Sequence, residues 1–162
     1  MITPAPFTLP TADQLLGLEA QARRQGSGLG VEPLIGRWRL EQVWPKGSRQ
    51  PSALSATLLR GLQARLELAG GEGEALQINN AVNLGALELR FSGEARLVGA
   101  RPLLQFHFDQ LQLRLAGRVL LQRSLPAPPA KRQPFFGLIA RDPSGWLAAR
   151  GRGGGLAVWR IA

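Results

Sequence analysis

The chain has no cysteine and a single histidine, His107. Without thiols it can build no disulfide, no thiolate metal site and no cysteine nucleophile. One imidazole is too few for a zinc centre, so no metal or other cofactor is expected. Tyrosine is absent and aromatic residues make up only 6%, which leaves few stacking platforms for single-stranded nucleic acid. No apolar run approaches the roughly 18 residues of a membrane-spanning helix. The first ten residues lack the charged and apolar regions of a secretory leader, so a cytoplasmic location is expected. No Gly-x-x-x-x-Gly-Lys-Ser/Thr phosphate loop occurs. The run Gly151-Arg152-Gly153-Gly154-Gly155 falls between two strand-like segments and reads as a hairpin tip.

Acidic residues are scarce in one region only. Lys+Arg number 20 against 11 Asp+Glu, a net charge of +9. Residues 1–100 carry 10 basic and 9 acidic side chains, whereas residues 101–162 carry 10 basic ones against Asp109 and Asp142 alone. The second stretch therefore supplies +8 of the total. Such asymmetry points to an anionic partner, and Arg114, Arg118, Arg123, Lys131 and Arg132 are the candidates for a membrane-facing set. A length of 162 residues fits one domain, expected over residues 11–162 behind an extended proline-rich arm at residues 1–10.

Leu15, Leu18 and Ala22 recur at helical spacing and Leu16 widens the stripe. Thr11 is placed to cap this helix, Asp13 and Arg23-Arg24 suit its two dipole ends, and Gly26 stops it. A second helix is expected over residues 52–59, with Ser52 as its cap. Elsewhere the apolar period is close to 2. It runs through Leu62-Leu68, Leu76-Val82 and Leu87-Phe91, with a turn expected at Ser92-Gly93, and then through Leu104-Phe108 and Leu111-Leu115. The phase slips at Asp109-Gln110, which requires a turn or a bulge. After a turn at Gly117-Arg118 comes a short strand at 119–122. Prolines 126, 128, 129 and 134 break the pattern before strands at 135–140, 146–150 and 156–161. One helix followed by many short strands predicts a mainly β fold, an antiparallel barrel or sandwich.

Groups able to do acid–base chemistry are few. His107 alternates with Phe106 and Phe108 and has only Asp109 nearby on its own face, so it reads as a surface residue. Glu72 and Glu74 sit in a glycine-rich loop that reads as solvated, and Glu41 and Glu67 are the remaining carboxylate candidates. Inward alternation instead makes Leu66, Leu89, Phe106 and Phe108 an apolar wall, either of a ligand site or of a barrel filled by its own side chains, and makes Asn80 either a polar anchor or the mark of its strand's end.

Gly36-Arg37-Trp38 opens the first strand and Trp159-Arg160 closes the last. This pairing resembles lipocalin-type barrels, in which a Trp seals the floor and an Arg packs across it. The resemblance implies that Gly36, Trp38 and Arg160 close the barrel, a solvated Arg160 being the competing reading; alternation turns Trp159 to the other face, toward the helix. Leu34-Ile35-Gly36-Arg37-Trp38-Arg39-Leu40, the middle segment around Gln77-Ile78 and Asn80-Ala81-Val82, and the closing Arg150-Gly151, Gly154 and Leu156-Ala157-Val158 further resemble, in order, the plastid lipid-associated proteins (fibrillins) of plants and cyanobacteria. This second resemblance implies a lipocalin-like barrel at thylakoid membranes or lipid globules that binds a hydrophobic small molecule, without catalysis. Glu41-Gln42-Val43-Trp44 departs from that family's usual Leu-Tyr-Thr-Ser continuation.

The expectation is thus a non-enzymatic barrel binding a lipid, carotenoid or quinone and docking peripherally on anionic membranes. A basic nucleic-acid-binding β module and a bilin lyase on a similar barrel are the alternatives. Aromatic scarcity argues against a nucleic-acid partner, and the apolar inward positions argue against the lyase.

Overall fold

A computed structural model describes residues 7–71, 73, 75–99 and 102–162, apart from the side chains of 54–56, 59 and 130. Glu72, Glu74 and most of the N-terminal arm lie outside the described residues. Helix α1, Ala12–Gln25, is set by local chemistry. The Thr11 hydroxyl accepts from the Gln14 backbone N–H while the Gln14 side chain accepts from the Thr11 N–H, a complete capping box. Its C-terminal Gly26 takes φ +76° and donates to the Ala22 carbonyl.

Among the described residues nine antiparallel strands follow: β1 Gly36–Trp44, β2 Arg65–Gly70, β3 Ala75–Leu84, β4 Leu87–Val98, β5 Leu103–Leu115, β6 Arg118–Ser124, β7 Phe135–Arg141, β8 Trp146–Gly151 and β9 Leu156–Ile161. A second helix, α2 Ala53–Gly61, links β1 to β2. Pairing runs β4-β3-β2-β1-β9-β8-β7-β5, and β4 pairs β5, so eight strands close a ring. Only the first residues of β5 pair β7, whereas its later half, from Gln110 onward, pairs β6. β6 therefore hangs outside the ring as an edge strand. A mainly β, barrel-like fold behind one N-terminal helix is what the alternation predicted.

Two apolar layers hold it. The barrel interior is one cluster that includes Trp38, Leu66, Leu68, Ile78, Leu104, Phe106 and Trp159. A second cluster lies outside, where Leu15 and Ala12 of α1 meet Ile139, Trp146, Ala148 and Val158. Bulges decide which residue goes to which layer. The β1–β9 register shifts between Leu40 and Gln42, so Trp38 faces inward and Trp44 outward under α1, although both are even-numbered.

A second slip occurs where the sequence requires it. Phe108 pairs Gly93 and Gln110 pairs Ser92, leaving Asp109 as the extra residue of a bulge within one continuous β5. The turn expected at Ser92-Gly93 does not exist, because β4 runs straight through it. Gly93 is there for another reason: a Cβ on it would stand 1.8 Å from the His107 carbonyl oxygen. The bulged strand presses against the glycine backbone, and no side chain fits.

Candidate functional site: an apolar mouth beside an arginine-lined wall

Cross-strand partners share a face of a sheet, so the register assigns every candidate. Leu66 pairs Asn80, Asn80 pairs Phe91, Val82 pairs Leu89, Ala95 pairs Phe106 and Gly93 pairs Phe108. All five residues expected to touch a ligand thus lie on the inner face. They divide by depth. Leu66 and Phe106 are buried in the interior cluster and Phe108 packs against it, whereas Leu89 is half-buried and Asn80 exposed. The deep part of the barrel is packed with its own side chains, and the accessible part of this set is its outer end.

Beyond Phe108 the inner face continues along β4 and β5. Phe91 lies 5.6 Å from Phe108, Phe108 5.4 Å from Phe106, and Phe106 5.0 Å from Phe136, an aromatic file leading out of the core. It opens onto Leu89, Leu111 and Leu113, and then onto Leu84, Leu87, Leu115 and Leu121, which are 72, 36, 42 and 44% exposed. Val119 and Leu120 of β6 are exposed as well. Arg118 pairs Leu115 and Arg123 pairs Leu111, so these two arginines edge the same apolar face. Arg114 lies on the opposite face, bonded to Gln112 and 4.0 Å from Glu88. Lys131 and Arg132 form a separate 3-10 turn whose carbonyls accept from Arg152. The five expected membrane residues therefore do not form one patch; Arg118 and Arg123 alone border the mouth.

The far end of the ring is plugged. Trp38 is fully buried and its indole N–H donates to the Leu34 carbonyl at 2.8 Å. β1 and β9 pair, as expected, but Arg160 is not the residue over the indole. Arg160 points outward and its guanidinium lies 4.1 Å from the Phe7 ring centre, while Arg141 sits 5.3 Å from that of Trp38 and donates to the Pro33 carbonyl. Trp159, expected against the helix, is interior and packs edge-on to Phe136, because Leu156 and Val158 take the helix-facing positions. Gly36 adopts φ +148° and leaves only 3.0 Å between its absent Cβ and Ile161. Trp38 is thus buried beside Gly36 at the start of β1, and Arg141, not Arg160, lies over its ring.

The carboxylates are engaged on the outer wall. Glu67 and Glu88 of β2 and β4 interlock with Arg37, Arg65 and Arg90. Burial pushes the Glu67 carboxyl up, but Arg90 and Arg37 outweigh it and hold it below its usual range. The Arg90 hydrogen bond does the same for Glu88, and both carboxylates in turn raise Arg90. A carboxylate held ionised this way is poorly suited to exchange protons near neutrality. Glu41 stands at the β1 bulge and lines an outer cleft, and His107 pairs Glu94 on the outer face. None of these groups reaches the inner face.

One engaged group escaped the sequence reading. Glu19, on the buried side of α1, binds Arg150 through two hydrogen bonds of 2.6 and 2.8 Å, and Arg150 also reaches the Gly154 carbonyl. A charged residue inside the stripe of Leu15 and Ala22 was the available signal. The Arg150-Gly151 segment thus anchors helix to barrel. No family model matches the chain, and no curated protein matches it.

Proposed function

We propose that the chain is a non-enzymatic barrel protein that holds the apolar part of a small lipid-like molecule (a lipid, carotenoid or quinone) at the mouth of its inner face, and works peripherally on an anionic membrane or lipid globule. The observation that carries this reading is the apolar sheet face that leaves the core at Phe91 and Phe108 and ends on exposed leucines. Of the nine exposed large hydrophobics among the described residues, Leu84, Leu87, Leu115 and Leu121 lie on this face, and Leu120 and Val119 follow on β6, Val119 on its opposite side. Clustering of that kind marks a contact surface rather than ordinary surface scatter. Arg118 and Arg123 at its border match an anionic interface, each adding about 1 kcal/mol near such a surface. No helix of the described residues is long and apolar enough to cross a membrane. The segments resembling plastid lipid-associated proteins point to the same activity.

The test pairs two measurements on the full chain. Displacement of a fluorescent fatty acid should show micromolar binding that Leu89→Asp weakens, with Leu121→Asp as a less buried companion. Flotation should show salt-sensitive association with anionic vesicles and little with neutral ones, reduced by Arg118→Gln/Arg123→Gln. Absence of displaceable binding, together with equal flotation on both vesicle types, overturns the reading. Tighter, salt-sensitive binding of nucleic acid than of vesicles would replace it with the nucleic-acid alternative.

A further inference from the structure

On the outer wall, β1 places Arg39 directly between two other arginines. Its partner on β2 is Arg65 and its partner on β9 is Arg160. Like charges at directly opposed positions repel. Two of the three are accommodated. Arg65 bonds Glu67, Glu88 and Asn83, the last at 2.6 Å, and Arg160 lies on Phe7. Among the described residues the Arg39 side chain forms no hydrogen bond or ion pair.

The same arginine lines a cleft of about 650 Å³ together with Arg37, Arg60, Arg65, Glu41 and Asn83. Arg60 donates to the Glu41 carbonyl at 2.7 Å, an uncharged acceptor, and Glu41 is in no ion pair among the described residues. Arg37 and Arg65 already share Glu67. Four arginines thus line the cleft against one carboxylate side chain, Glu41, which leaves it net positive in a volume suited to a small molecule.

We propose that this cleft is an anion site for a phosphate group, with Arg39 and Arg60 as its principal ligands. Planar guanidinium groups that line one cleft from two strands and a helix suit a tetrahedral oxyanion, which accepts from several directions at once. Leu40 and Ala64 line the same cleft and give an attached organic body an apolar surface. The site lies on the outer wall and stands independently of the lipid reading, since an anion would bind here in a protein that never meets a membrane. A soluble metabolite and a lipid headgroup both present such a phosphate.

The experiment is thermal unfolding and phosphorus NMR of the full chain, titrated with inorganic phosphate against chloride at matched ionic strength. Vesicles containing phosphatidic acid form a parallel arm. Phosphate should raise the melting temperature where chloride does not. Arg39→Gln should abolish that rise, weakening binding by about tenfold or more, and should leave the unliganded melting temperature equal or higher because the row of opposed arginines is broken. Arg60→Gln should weaken phosphate in the same direction. A response to free phosphate that Arg39→Gln removes identifies a soluble ligand; a loss confined to vesicle binding identifies a headgroup. The inference is overturned if phosphate and chloride act alike and Arg39→Gln alters neither arm. It is overturned equally if Arg39→Gln lowers the unliganded melting temperature while the phosphate response persists.

Discussion

Single residues in this barrel are constrained mainly by close approach and by buried charge. Gly93 is the sharpest case, because any side chain there collides with the β5 backbone rather than with a movable side chain. Gly93→Ala should cost about 3 kcal/mol or more, as overpacking against fixed backbone does, and its urea unfolding midpoint should drop accordingly. The floor separates packing from cation–π attraction. Trp38→Ala should cost about 3–5 kcal/mol through the cavity it leaves. Arg141→Ala should cost about 0.5–2 kcal/mol. Arg160 is exposed, and Arg160→Ala should stay within about 0.5 kcal/mol of the parent. Chemical denaturation of the three variants side by side checks the order, and a larger loss for Arg160→Ala than for Arg141→Ala contradicts the assignment.

Among elements, α1 depends on one ion pair as well as on its apolar stripe. Glu19 and Arg150 hold bidentate geometry with side chains 7% and 23% exposed. Removing one partner strands a poorly solvated charge, so Glu19→Ala should destabilise by about 3 kcal/mol. Because the pair joins helix to barrel, hydrogen exchange should quicken first in α1 and the β8–β9 hairpin. β6 behaves oppositely. It is exposed along its whole length and pairs with one neighbour only, so Leu121→Asp should leave the unfolding midpoint within about 0.5 kcal/mol of the parent. That neutrality makes it a clean probe of the mouth.

Across the whole molecule, charge sets the pH response. Glu67 and Glu88 are held below their ordinary value of 4.5 in the folded chain. The unfolded chain therefore binds more protons as pH falls through that value, and stability falls with it. Their contribution is complete above about pH 5 and is lost as pH descends through the lowered folded values. Rising positive charge on a chain already at +9 adds repulsion in the same direction. Urea midpoints measured between pH 7 and pH 3 should decline steeply below pH 5, and Glu67→Gln should flatten that decline. A pH-independent midpoint would contradict the arginine–carboxylate network.

The amino-acid order alone determined whatever depends on near neighbours in the chain. Thr11, Gln14 and Gly26 set the ends of α1 because caps bond within three or four residues. Alternation set most strands, and the phase change at Asp109-Gln110 revealed the bulge, since a pleated strand admits no other way to move its apolar face. It also placed Leu66, Asn80, Leu89, Phe106 and Phe108 on one face. Depth along that face was not legible, because it depends on where β7 leaves β5 and β6 takes over, a pairing between segments far apart in sequence. The same limit hid the partners of the arginines. Arg141 rather than Arg160 reached Trp38, Trp159 turned inward, and Arg39 came to stand between Arg65 and Arg160 only when three strands had settled into register. Local bonding is written residue by residue, whereas long-range register and the bulges that shift it emerge from closing the sheet, and those decided which charges meet and which surface stays open.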